Sequence, residues 1–229
     1  MGLSDDLRTL ADPVWSRSLS HPFVTGIGDG SLPTEKFKFY VRQDYVFLVE
    51  YSRVLALAVA KGHDLPVMEQ FAELLHATLV TEMALHRSYC GEFGISPEDL
   101  AETRAAPTTY AYTRHLLETA WSGSLGEIVA SLFPCAWGYW EIGKMLLARG
   151  TPARAPLYAR WIETYASKEY GEVARWLKNL LDALGEAASP SESERMTERF
   201  LLSSRFEHAF WEMAWSSSEG GFAGVEQRA

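Results

Sequence analysis

The sequence predicts an all-α fold, a bundle of long helices in a single domain. Three observations carry this. No stretch sustains the apolar–polar alternation of a half-buried strand, whereas apolar spacings of three and four recur throughout. Start and stop signals punctuate the whole length, with Pro or Ser at openings and Gly at closings. The segments between "SGS", "RGTPARAP" and "ASPSES" are joined by short connections, as in a bundle.

Taken in order, the first long element is "DGSLPTEKFKFYVRQDYVFLVEYSRVLALAVAKG", which opens on turn residues and a proline and closes at Gly62. Within it Phe37, Tyr40, Asp44, Phe47 and Tyr51 fall on one face. A second helix is expected from about Pro66 to Glu92, and "ISPED" opens a short one with Ser96 as N-cap. Further helices fit 107–122, 125–149, 156–187 and 191–217. The closing "SSSEGGFAGVEQRA" reads as frayed, so one domain is expected over 1–217, with a flexible tail at 218–229. No internal repeat is seen.

Composition narrows the classes of function. Among 229 residues, 21 basic against 30 acidic side chains give a net charge of −9, which argues against nucleic acid or an anionic membrane as partner. Two cysteines, Cys90 and Cys135, are too few for a disulfide framework, and a reducing, cytoplasmic setting is expected. The acidic opening "MGLSDDLRTLADP" lacks the layout of a signal peptide. The longest uncharged run, Ile128 to Trp140, falls short of the ~20 residues of a membrane helix.

The residues suited to chemistry are few. In "SLFPCAWGYWEIGKML", Cys135 follows a proline and shares a face with Tyr139 at i+4. Taken alone, such a cysteine is more often a buried hydrophobe than a nucleophile, which would need a helper to take its proton. Asp44 sits among aromatics in "YVRQDYVFLVEYSR", either paired with an arginine or facing a ligand. Glu207, in "RFEHAFWEMAW", has Phe210 and Trp211 at i+3 and i+4; it is either a surface partner of Arg205 or a desolvated general acid. Glu73 and His76 form a lone E-x-x-H, and Glu82 and His86 a lone i,i+4 pair, so no metal site is expected. No phosphate-binding glycine loop or G-x-S-x-G elbow is present.

Five segments in order resemble the TenA family, thiaminase II or aminopyrimidine aminohydrolase, of the heme-oxygenase-like helical bundle fold. They are "LADPVWSRSLSHPFVTGIGDGSL", "FYVRQDYVFLVEYSRVLALAVAK", "PCAWGYWEIGKML", "YASKEYGEVARWL" and "RFEHAFWEMAW", spread over nearly the whole chain. The resemblance, to the cysteine-containing branch, implies Cys135 as nucleophile and Glu207 as acid. It implies substrate contacts at Asp44, Tyr139, Tyr165, Tyr112 and Phe47. Some relatives carry a tyrosine at the position of Phe47, and its absence here implies weaker activation of Cys135. The implied substrate is a small aminopyrimidine or thiamin, with no cofactor and no metal, in a homotetramer. Two other readings are an oxidase or oxygenase of the same fold and a non-catalytic pyrimidine-binding module. Fold analogy alone does not separate them.

Overall fold

The computed structural model describes residues 2–216. The expected tail at 218–229 lies outside the described residues. Three short helices lead the chain, α1 (Leu3–Leu10), α2 (Asp12–Leu19) and α3 (Pro22–Asp29). They are followed by α4 (Thr34–Lys61), α5 (Leu65–Ala77), a π-helical turn (Thr78–Glu82), α6 (Met83–Glu92) and the short α7 (Pro97–Ala101). Then come α8 (Pro107–Ser122), α9 (Leu125–Arg149), α10 (Pro156–Ala166), α11 (Lys168–Ala187) and α12 (Pro190–Ser216). Among the described residues there is no strand, and no helix is long and apolar enough to cross a membrane.

Two of the expected helices are interrupted. The segment expected from Pro66 to Glu92 widens into a π turn at Thr78–Glu82 before resuming as α6. The segment expected over 156–187 breaks at Ser167, whose extended backbone ends α10 while its hydroxyl accepts from Tyr170 N–H at 3.1 Å and opens α11. Both interruptions border the site described below.

α9 is the axis of the bundle. Every residue from Leu125 to Pro134 is buried, so this stretch is enclosed on all sides rather than amphipathic. Its start is a capping box: Ser124 Oγ accepts from Glu127 N–H at 3.3 Å, and Glu127 Oε1 accepts from Ser124 N–H at 3.4 Å. The buried Glu127 carboxylate also pairs with Arg195 at 2.9 Å and lies 3.7 Å from Arg199. That clamp fixes the register of α12 along α9. The two helices run parallel, so eight residues on along each, from 127 to 135 and from 199 to 207, the clamp brings Cys135 to Glu207 about 12 Å downstream.

α8 is pinned to α4 in a comparable way. Gln43 accepts from Ala106 N–H and Thr109 Oγ1, both at 2.8 Å, and donates to Arg104 C=O at 3.0 Å. These bonds satisfy polar groups at the start of α8 and aim Tyr112, farther along it, at α12. α10 approaches α9 at Gly143, where a Cβ would lie 2.6 Å from the Tyr165 carbonyl carbon and 2.7 Å from Ala166 N. Backbone has no side-chain freedom to yield. Gly143→Ala is therefore expected to cost about 1–3 kcal/mol, as overpacking does, and to push Tyr165 from its place. A denaturant midpoint unchanged from the parent's would show that α10 accommodates the methyl.

Candidate active site

The aromatic face expected on α4 is buried as a unit: Tyr40, Asp44, Phe47 and Tyr51 are each 6% exposed or less. Opposite it stand Tyr139 on α9, Trp161 and Tyr165 on α10, Tyr112 on α8 and Trp211 on α12, all buried. Tyr139 lies 4.7 Å from Tyr165 and 5.2 Å from Trp211, ring centre to ring centre. Phe47 packs on Tyr112 at 5.0 Å and Tyr51 at 5.6 Å. Cys135, half-buried, lies one turn before Tyr139 on α9 and close to Tyr51 and Tyr112.

The polar groups fall into two hydrogen-bonded sets. In the first, the Glu207 carboxyl accepts from Tyr112 O–H at 2.6 Å and from the Cys135 thiol. Burial raises the Glu207 carboxyl to about 7, against the lowering effect of the Tyr112 bond, and the Asp44 charge adds to the rise. Burial likewise pushes the Cys135 thiol well above its ordinary range, reinforced by the charges of Glu207, Asp44 and Glu82. The resting thiol is therefore protonated and donates to Glu207.

In the second set, Asp44 Oδ2 lies 2.6 Å from His86 Nε2 and accepts from Tyr40 O–H at 3.3 Å. Tyr40 O–H is also within 3.2 Å of Tyr139 Oη and accepts from Trp161 Nε1–H at 3.3 Å. Glu82, the last residue of the π turn, accepts from Tyr165 O–H at 3.2 Å. Its carboxyl is raised to about 7 by burial above all, against the lowering influence of His86, with Asp44 contributing to the rise. Glu82 and Tyr170 also line a cleft of about 510 Å³ whose remaining wall is largely apolar, including Leu74, Leu85 and Val173. The cleft thus reaches the pocket at Glu82.

All seven residues singled out in the sequence converge: Cys135, Glu207, Asp44, Tyr139, Tyr165, Tyr112 and Phe47 face one another across four helices and α10. Glu207 points inward to Tyr112 and Cys135 rather than pairing with Arg205. Asp44 pairs with a histidine rather than an arginine. Sequence reasoning missed Glu82 and His86, seen only as an isolated pair, and it missed Tyr51 and Tyr170 as members of the site. Tyr51 and Tyr170 both lie close enough to Cys135 and Glu82 to feel their charge. Among the described residues no three His, Cys, Asp or Glu side chains converge as a metal centre requires.

The arrangement brings together a thiol, a carboxyl able to move a proton near neutral pH, and a cluster of aromatic rings with the Asp44 carboxyl at one edge. The chain matches the model of the TENA/THI-4/PQQC family over residues 9–217. It is 43% identical to an aminopyrimidine aminohydrolase of Halalkalibacterium halodurans over 98% of this chain and 100% of that one. Among solved structures, a TenA family transcription regulator from a Silicibacter species superposes with a TM-score of 0.86, at 38% identity over 93% of this chain and 96% of that one. A domain with a heme oxygenase-like fold from Shewanella denitrificans is 16% identical over 93% of this chain and 92% of that one, with a TM-score of 0.73.

Proposed function

The chain belongs to the TENA/THI-4/PQQC family, and from that premise we propose that it is an aminopyrimidine aminohydrolase of thiamin salvage. The substrate is 4-amino-5-aminomethyl-2-methylpyrimidine and the product its 5-hydroxymethyl counterpart. The observation that carries this reading is the Cys135 thiol hydrogen-bonded to a Glu207 carboxyl raised to about 7, inside a slot of aromatic rings.

The chemistry follows from these groups. Glu207, in its ionised fraction, takes the thiol proton as sulfur bonds to ring C6; the thiol is too weak an acid here to ionise beforehand. The ring electrons then expel the amine from the 5-methylene, and the protonated Glu207 returns its proton to that leaving nitrogen. Water adds to the exposed methylene as the ionised Glu207 takes its proton, the C–S bond breaks, and Glu207 returns that proton to sulfur. Asp44 pairs with the 4-amino group and adjacent ring nitrogen, which favours the ring-protonated, more electrophilic pyrimidine. Tyr139 and Tyr165 hold the ring in line, and the rings exclude bulk water.

The Silicibacter relative, a transcription regulator by name, raises a nucleic-acid reading for that protein. The net charge of −9 on this chain favours a small-molecule substrate instead. Exposed Tyr110 and Trp121 on α8 support self-association, which we read as a homotetramer; a monomeric mass by light scattering would remove that reading. Two unbridged thiols support a cytoplasmic setting. The deciding experiment compares hydrolysis of the aminomethylpyrimidine with that of thiamin. Release of ammonia and hydroxymethylpyrimidine is expected, and a folded protein that hydrolyses neither would overturn the assignment.

A further inference from the structure

His86 stands outside every role assigned so far, yet its two ring nitrogens are fully committed. Nδ1 lies 2.9 Å from the backbone carbonyl of Glu82, and Nε2 lies 2.6 Å from Asp44 Oδ2. A carbonyl oxygen only accepts, so Nδ1 carries a proton. At 2.6 Å the contact between Nε2 and Asp44 Oδ2 holds a further proton between the two groups. The ring is 2% exposed and Asp44 5% exposed, which leaves water no share in either bond. The charged groups facing this pair are Asp44 from α4 and Glu82 from the π turn; Tyr40 O–H donates to the same Asp44 Oδ2, and Tyr89 meets the imidazole edge-on at 6.3 Å. Asp44 and Glu82 thus flank the imidazole.

Resting on the aminopyrimidine reading, we propose that His86 is a positioning residue: as an imidazolium fixed to the π-turn backbone, it holds Asp44 aimed at the pyrimidine. Burial disfavours the charged ring, but Asp44 and then Glu82 outweigh it, so the imidazole is raised above its ordinary range. The partner oxygen of Asp44 is left to meet the 4-amino group and ring nitrogen. The pyrimidine then enters beside a carboxyl group that is already oriented. His86 touches no reacting atom; it acts through Asp44.

Two measurements test this. Long-range proton–nitrogen correlation on the intact wild type, with His86 assigned through the backbone, is expected to show both ring nitrogens protonated from pH 6 to 8. A bare, pyridine-like Nε2 over that range would mean that Asp44 holds the proton, and would overturn the proposal. The second is calorimetric binding of 4-amino-5-hydroxymethyl-2-methylpyrimidine to wild type and to His86→Gln, whose amide keeps a donor but not the charge. The variant is expected to bind about tenfold more weakly at pH 6, with its acidic limb shifted upward by about one pH unit. A folded variant with the wild-type affinity and pH profile would reduce His86 to a packing residue. No binding to wild type at any pH would fail the aminopyrimidine reading itself, whatever the nitrogen spectra show; should the variant not fold, the wild-type spectra decide alone.

Discussion

Cys135→Ala is expected to bind the aminopyrimidine and turn it over at least about 10³-fold more slowly, the scale on which loss of a nucleophile acts. No other group can take the place of the thiol. The phenols around it, Tyr51, Tyr112, Tyr139, Tyr165 and Tyr170, are all driven well above their ordinary range by burial and then by neighbouring negative charge, so none yields an oxyanion near neutral pH. Water attacking the 5-methylene directly faces the barrier that covalent addition to the ring is there to avoid. Single-turnover kinetics on variant and parent separate binding from chemistry. A variant within tenfold of the parent would keep the substrate and remove Cys135 as nucleophile.

Glu207→Gln is expected to lower kcat by about 10²-fold, typical for loss of a general acid or base. It is also expected to change stability, with a sign that can be worked out. The folded carboxyl is raised to about 7, whereas an unfolded one lies near 4.5. Between these values the folded state binds more protons, so its stability is greatest below the unfolded value and falls as pH rises toward 7. The loss per carboxyl is about 2–3 kcal/mol across that window. Glu82 shifts in the same direction and adds to it. Denaturant melts at pH 5 and pH 8 should therefore show the parent losing stability, with Glu207→Gln and Glu82→Gln each flattening the slope. A parent profile flat from pH 5 to 8 would mean that neither carboxyl holds its proton.

Much of this site was legible from local spacing, because α-helical periodicity places i and i+4 together. Asp44, Phe47 and Tyr51 share a face of α4, and Cys135 and Tyr139 share a face of α9, without reference to any other helix. The inward aim of Glu207 was not decidable locally: Arg205 is two residues away, and only the Glu127–Arg195 clamp, set by contacts between α9 and α12, turns the carboxyl toward Cys135. The break at Ser167 escaped notice for a similar reason. Its capping hydroxyl competes with continued helix, and the approach of α10 to Gly143 favours the break. Glu82 and His86 were read as one face of a regular helix because nothing in "HATLVTEMALH" announces a wider turn.

That wider turn has a consequence for how such a chain can change. A π turn holds one residue more than the α-helical register around it. The extra residue is absorbed within the turn, so the helix behind it keeps nearly the angular phase of the helix before it. Deleting a single residue between Thr78 and Thr81 would leave an unbroken α-helix with His86 still turned toward Asp44, and the change would fall on the turn itself, where Glu82 meets Tyr165. A change of length in this segment is therefore local: a lineage that lost the extra residue would keep the imidazole and have only the carboxyl's place to rebuild.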